Sequence, residues 1–166
     1  EDYAYFVRGL LSLFQSTGDE ATLQRAAELA GEMLDRFWSE HAGLFWDTDG
    51  TDDTLLHRRV SPNDGATPAP NAVALESLVL LHAFTADRAW LTKADKGFAA
   101  LLPLIDQNAR VFTATLRPMG MAVVEPRVAV VVGTGDRASL AEWRRQIYAQ
   151  GRSGVLAVFR AAADED

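Results

Sequence analysis

Apolar residues along the first forty positions recur at the spacing of amphipathic helices. Residues 1–16 carry Tyr3, Phe6, Val7, Leu10, Leu11, Leu13 and Phe14 on one wide apolar face. Thr17-Gly18-Asp19 stops that pattern, with Gly18 suited to the left-handed position after a helix end. A second helix, capped by Asp19 or Thr22, runs to about Trp38 with a stripe of Leu23, Ala26, Ala30, Met33, Leu34 and Phe37. A turn this short sets the two helices antiparallel.

The pattern breaks over residues 39–70, where Gly43, Asp49-Gly50, Pro62, Asn63-Asp64-Gly65, Pro68 and Pro70 punctuate the chain. Leu44-Phe45-Trp46 and Leu55 to Val60 are expected as short strands, with Asp49-Gly50 as a hairpin turn. A connection of this length is uncommon unless it serves a function. A third helix is expected from Asn71, as its N-cap, to Phe84. It is apolar nearly all round, as a helix buried on every side would be. A fourth runs from about Asp87 to Ile105, with Pro103 expected to kink or end it.

A shift of 68 residues lays Thr17, Asp19, Ala21, Leu23, Ala26 and Leu34 onto Thr85, Asp87, Ala89, Leu91, Ala94 and Leu102. Two helical hairpins of one design imply a stacked α/α repeat, and one helix buried all round beside one amphipathic helix is what an inner and an outer layer would look like. The last third differs. A helix over 112–123 closes at Glu125-Pro126. Arg127–Gly133 and Val155–Phe159 then read as parallel strands, joined through a helix over Ala138–Gln150. Two strands alone are marginal, so this unit must pack on the helices or extend another sheet. The fold class is therefore mainly α, with helical hairpins over 1–125 and a β-α-β appendage over 126–166.

Composition narrows the function. The chain has 166 residues, a net charge of −7 and no cysteine. The acidic balance disfavours nucleic acid and anionic membrane as partners, and no transmembrane span is expected. Absence of cysteine excludes disulfides and thiolate chemistry within the chain and fits a reducing, cytoplasmic setting. The first residues, Glu1-Asp2-Tyr3, read as the start of a piece of something longer, so targeting cannot be judged from them.

Few motifs carry chemistry. Gly133 to Ala138 matches the dinucleotide loop G-x-G-x-x-A, but Asp136 places a carboxylate where a pyrophosphate would sit, so a tight turn is expected. His41, His57 and His82 lack metal spacing; no metal and no cofactor is expected. The long connection is the better candidate. Phe45, Trp46 and Asp47 set aromatic faces beside a carboxylate, and Arg59, Asp64 and Asn71 precede or enter the buried helix. Asp2 and Tyr3 join the same rim by the repeat. Aromatic platforms among carboxylates and amides suit a sugar, whose C–H face stacks while its hydroxyls hydrogen-bond. The open alternative is structural: a turn at Asp64-Gly65, a cap at Asn71, and aromatics that close the core.

Four stretches resemble a known family: Glu1-Asp2-Tyr3-Ala4, the Thr17-Gly18-Asp19 turn, Phe37-Trp38 through Gly43-Leu44-Phe45-Trp46-Asp47-Thr48, and Asp64-Gly65-Ala66-Thr67-Pro68-Ala69-Pro70-Asn71. Their order is similar to the C-terminal half of the thioredoxin-domain-containing YyaL proteins, with which the spermatogenesis-associated thioredoxin-like proteins of animals belong. The resemblance implies an N-terminal thioredoxin-like domain outside this chain and an α/α toroid of the six-hairpin glycosidase type. The chain departs from the family at Pro68-Ala69-Pro70-Asn71, where Pro-Ser-Gly-Asn is usual. The superfamily's epimerase-type histidines do not map onto His41, His57 or His82, so no catalytic residue is assigned.

Two functions follow as expectations. One is a sugar-binding or sugar-processing toroid whose rim holds Asp2, Tyr3, Phe45, Asp47, Arg59, Asp64 and Asn71. The other is a non-enzymatic helical scaffold that docks the thioredoxin-like domain. Open helix faces at the ends of such an array also predict contacts with the rest of a longer chain, and self-association of this piece.

Overall fold

One turn design, used twice, organises the helical part of the molecule. The computed structural model describes residues 1–51, 57–133, 137–149 and 155–161. Helix α1 (Asp2–Thr17) turns into α2 (Glu20–Phe37), and α3 (Pro70–Thr85) turns into α4 (Arg88–Asn108). At both turns a Thr hydroxyl bonds back to the fourth carbonyl before it, Thr17 to Leu13 and Thr85 to Leu81. Both following aspartates cap the next helix: Thr22 N–H donates to Asp19 at 3.0 Å and Ala89 N–H to Asp87 at 2.9 Å. Between them sits a left-handed residue, Gly18 at φ 64° and Ala86 at φ 58°. Gly18 has a second reason to lack a side chain: a Cβ there would lie 2.6 Å from Cβ of Arg160. The repeat expected from sequence is thus a repeat of capping chemistry.

Contacts between α1 and α3 step upward in the same order along both helices. Tyr5 Oη donates to the Pro68 carbonyl at 2.7 Å, Arg8 pairs with Glu76 at 3.2 Å, and the Phe14 and Phe84 rings meet edge-on at 5.2 Å. The two helices are therefore parallel. Helix α5 (Thr113–Val124) continues the row on the far side of α3, its Arg117 also reaching Glu76. Helices α2 and α4 return antiparallel behind α1 and α3. The middle helix is enclosed, and its residues from Asn71 to Leu81 are buried apart from Glu76. Glu76 is the one acidic residue of α3, and both of its partners come from the flanking helices.

Four local expectations change. The Leu44–Phe45 strand (β2) pairs antiparallel with Trp38–Ser39 (β1), so the hairpin turns at residues 40–43 rather than at Asp49-Gly50. Residues 57–60 form no strand, although Asp47 N–H donates to the Arg59 carbonyl at 2.8 Å; the rest of that expected strand, Leu55 and Leu56, lies outside the described residues. Asn71 is not the cap of α3. Ala69 holds that position and Pro70 opens the helix, where its missing N–H costs nothing. Of the two outcomes expected at Pro103, an end to the helix does not occur: α4 runs on to Asn108 with Pro103 on its exposed side.

The tail forms a parallel pair, β3 (Arg127–Gly133) and β4 (Val155–Ala161), in register from Arg127 with Val155 to Gly133 with Ala161, joined through α6 (Arg137–Ala149). β4 is the covered strand: Leu156 through Phe159 are buried, and Leu156 shares an apolar cluster with Val7 and Leu11 of α1. Packing on the helices supplies the stability that two strands lack by themselves. Of the glycine-rich turn after β3, residues 134–136 lie outside the described residues.

Candidate functional site

Because α1, α3 and α5 are parallel, their N-terminal ends lie at one end of the row, and the connection from β1 to α3 folds over that end. Three hydrogen-bonded residues hold it there. Asn71, only 1% exposed, accepts from Phe45 N–H at 2.8 Å and donates to the Phe45 carbonyl at 3.0 Å. A side-chain amide thus completes both backbone bonds of a buried strand residue. Asp64 accepts from Ala69 N–H at 2.8 Å with one oxygen, and from Thr113 Oγ1 at 3.1 Å and Ala114 N–H at 2.9 Å with the other. It ties the approach to α3 to the first turn of α5, where a carboxylate also meets the positive helix end. Asp47 accepts from Ser61 N–H at 3.1 Å, from Ser61 Oγ at 2.7 Å and from Arg59 Nε at 3.3 Å.

Between the start of α1, the end of α2 and this connection lies a narrow cleft. Tyr3, Met33, Phe37, Trp46, Asp47 and Asn71 line it, together with Phe45. Its water-accessible volume is about 20 Å³, room for a single water molecule. The Tyr3 and Phe37 rings tilt together at 5.5 Å, and the Arg36 guanidinium covers both, 5.5 and 5.4 Å from their centroids. Arg36 also donates to Tyr3 Oη at 2.8 Å, and Tyr3 in turn donates to Glu32 at 3.2 Å. Arg58 lies over Trp46 at 5.3 Å and donates from Nε to the Thr48 carbonyl at 3.0 Å and from Nη2 to the Arg36 carbonyl at 3.3 Å, which closes the C-terminal end of α2. Each guanidinium gains both an aromatic face and fixed acceptors.

The residues singled out from sequence divide into two groups. Tyr3, Phe45, Asp47 and Asn71 come together around the cleft. Arg59 reaches it only through Asp47. Asp2 is exposed at the first turn of α1, and Asp64 borders a different, open concavity of about 350 Å³ with Thr67, Pro68 and Thr113. Phe37 and Met33 belong to the α2 stripe and were legible only as core. Arg36 sits on the polar side of α2 and carries no sequence signal for its role. His41 and His57 are exposed, and His82 contacts the Asp87 carbonyl through Nδ1 at 3.0 Å. Among the described residues no group of three or more histidines and carboxylates is placed to hold a metal, and no helix is long and apolar enough to cross a membrane.

The rim carries its own acid sensitivity. Arg36 first, then the Thr51 hydroxyl and N–H, hold the Asp49 carboxyl down from an ordinary 3.8 to about 2. Across the hairpin, Lys93 chiefly, with Lys96 on the other carboxylate oxygen, brings Glu40 from 4.5 to about 2. Both folded values lie below the unfolded ones, so the contribution is complete above the ordinary carboxyl range and is lost as pH falls through it. The urea midpoint should hold level near neutral pH and decline between about pH 4 and pH 2. Arg36→Ala should flatten that decline, and an unchanged profile would remove the pair from the account.

No family model matches the chain. Among curated proteins it is similar to spermatogenesis-associated protein 20 of Homo sapiens, 29% identical over 140 residues that make up 82% of this chain and 17% of the relative. The Rattus norvegicus protein of the same name is 34% identical over 94 residues, 56% of this chain and 12% of the relative. An uncharacterized protein of Caenorhabditis elegans is 26% identical over 98 residues, 59% of this chain and 13% of the relative. The chain therefore spans less than a fifth of the length of these relatives.

Proposed function

We propose that this chain supplies one wall of a carbohydrate-binding cleft in a longer protein. The observation that carries the reading is the meeting of Tyr3, Phe37 and Trp46 with the Asp47 carboxylate at the shared N-terminal end of α1 and α3. Aromatic faces take the C–H face of a sugar ring, and Asp47, which accepts three hydrogen bonds, keeps acceptor capacity for a hydroxyl. The similarity to much longer relatives is consistent with further walls from outside this chain. A cleft with room for one water does not enclose a sugar ring by itself. The finer expectation is an α/α toroid of the six-hairpin glycosidase type, in a protein that also carries a thioredoxin-like domain. Asn71 and Asp64 are here positioning residues that hold the connection, and no residue is given a catalytic role.

The test is a thermal-shift panel of sugars, amino sugars and sugar phosphates against the longer protein, followed by titration of any hit. A saturable, selective stabilisation is expected. Trp46→Ala should then weaken binding about tenfold, equivalent to ~1.4 kcal/mol. Unchanged affinity in that variant would take the ligand out of this cleft. A flat panel on folded protein would favour the second reading, a helical scaffold for protein docking, which the exposed apolar faces of α1 and α5 support.

A further inference from the structure

Charge of one sign lines the cleft between α1, α2 and the connection. Of the described residues in its lining, Glu1 and Asp47 are charged, and both are acids. The nearby bases are committed to other groups. Arg36 donates to Tyr3 Oη and to Asp49, Arg58 to the Thr48 and Arg36 carbonyls, and Arg59 to Asp47 and Ser61. The Arg59 pairing uses only Oδ2 of Asp47, and with the Arg59 side chain 78% exposed, water and salt screen it. Asp47 Oδ1 accepts from Ser61 N–H alone among the described residues, which leaves it an open acceptor position. The Glu1 side chain makes no capping bond at the start of α1.

The rings share this preference for positive charge. Arg36 lies over Tyr3 and Phe37, and Arg58 over Trp46, so the aromatic groups of the cleft already hold two of the protein's own cations. The N-terminal ends of α1 and α3 would by themselves favour an anion. Each is already met by a carboxylate of the chain: Asp2 lies in the first turn of α1, and Asp64 accepts from Ala69 N–H ahead of α3. What is left for a ligand is aromatic surface beside acid oxygens with room for a donor.

We propose, resting on the carbohydrate reading above, that the sugar taken by this cleft is an amino sugar in its protonated form. Its ammonium group meets Asp47 Oδ1 while its C–H face meets the rings. A neutral sugar offers Asp47 a hydroxyl in the same place, and a charge-assisted hydrogen bond is about twice as strong as a neutral one. A phosphate or carboxylate on the sugar meets repulsion from Glu1 and Asp47 instead. Asp47 is then the residue that sets specificity.

Titration calorimetry on the longer protein tests this, with hexosamines and hexoses in matched pairs of gluco, galacto and manno configuration and the hexose 6-phosphates beside them. Members of a pair differ only at C2, so the comparison isolates the charge. The hexosamine of a pair that binds should be held about fivefold more tightly than its hexose, and the 6-phosphate most weakly. Raising the pH through the range in which the amine loses its proton should erase that preference without any variant. Asp47→Asn should reduce it as well, with circular dichroism to check folding and Glu1→Gln as a milder second change. A hexose or 6-phosphate bound as tightly as its hexosamine, or a preference that survives loss of the amine proton, would overturn the charge assignment and leave the carbohydrate reading standing. Binding of no sugar, or binding that Trp46→Ala leaves unchanged, would remove the carbohydrate reading and this inference with it.

Discussion

Asn71→Ala should lower the melting temperature by about 10 °C, on the basis of ~3 kcal/mol for two unsatisfied buried backbone groups and ~3 °C per kcal/mol in a chain of this size. The side-chain amide takes the Phe45 N–H at 2.8 Å and gives to the Phe45 carbonyl at 3.0 Å, with no alternative backbone partner on that side of β2 among the described residues. Alanine leaves both groups buried beside a small hole. The effect should reach the cleft as well, because Phe45 fixes where Trp46 and Asp47 leave the hairpin. Asn63→Ala, in the same connection but exposed, should change little. A melting temperature for Asn71→Ala within a degree or two of wild type would mean that water enters and replaces the amide.

The second large effect concerns the contact between α3 and α4. Leu75 is wholly buried, and its Cδ2 atom stands 2.4 Å from the point where Gly97 would carry a Cβ. Leu75→Ala should cost ~3–4 kcal/mol, as a buried leucine whose hole cannot fully collapse. Gly97→Ala by itself should cost ~1–3 kcal/mol through overpacking, offset in part by better helix propensity. Made together, the two should cost less than the sum by ~1–2 kcal/mol, since the new methyl group enters the space the leucine leaves. Urea denaturation of the four proteins measures that coupling. Strict additivity would show that the leucine rotates away from Gly97 and that the close approach does not constrain the helix pair.

The sequence and the structure agree best where the determining contacts are local. Thr17, Gly18 and Asp19, and again Thr85, Ala86 and Asp87, act within a few residues of one another, so their pattern announces both turns and the repeat. The apolar sequence from Asn71 to Leu81 likewise announces a buried helix, because burial on all sides needs only the absence of a polar face. Where local preference and distant partners compete, the reading changes. Asn71 has the composition of a cap, yet Phe45, distant in sequence, takes both its donor and its acceptor. Asp49-Gly50 has the composition of a hairpin turn, yet Arg36 draws Asp49 to the end of α2 instead. Asp64 suits a carbohydrate rim on paper, and in the fold it is spent on three bonds that join α3 to α5.

By itself, then, the sequence determined the helical hairpins, their duplicated turn, the buried middle helix and the parallel strand pair at the end. Each of these rests on periodicity or capping within a short stretch of chain. Only the tertiary structure decided that α1, α3 and α5 run parallel in one row, and that Tyr3, Phe37, Trp46 and Asp47 meet at its N-terminal end. The same structure decided that two like apolar faces remain at the ends of the row. The physical reason is that buried backbone groups and charges must find partners wherever the folded chain offers them. Such partners, Asn71 for Phe45 or Arg36 for Asp49, follow from proximity in space and leave no spacing rule along the chain.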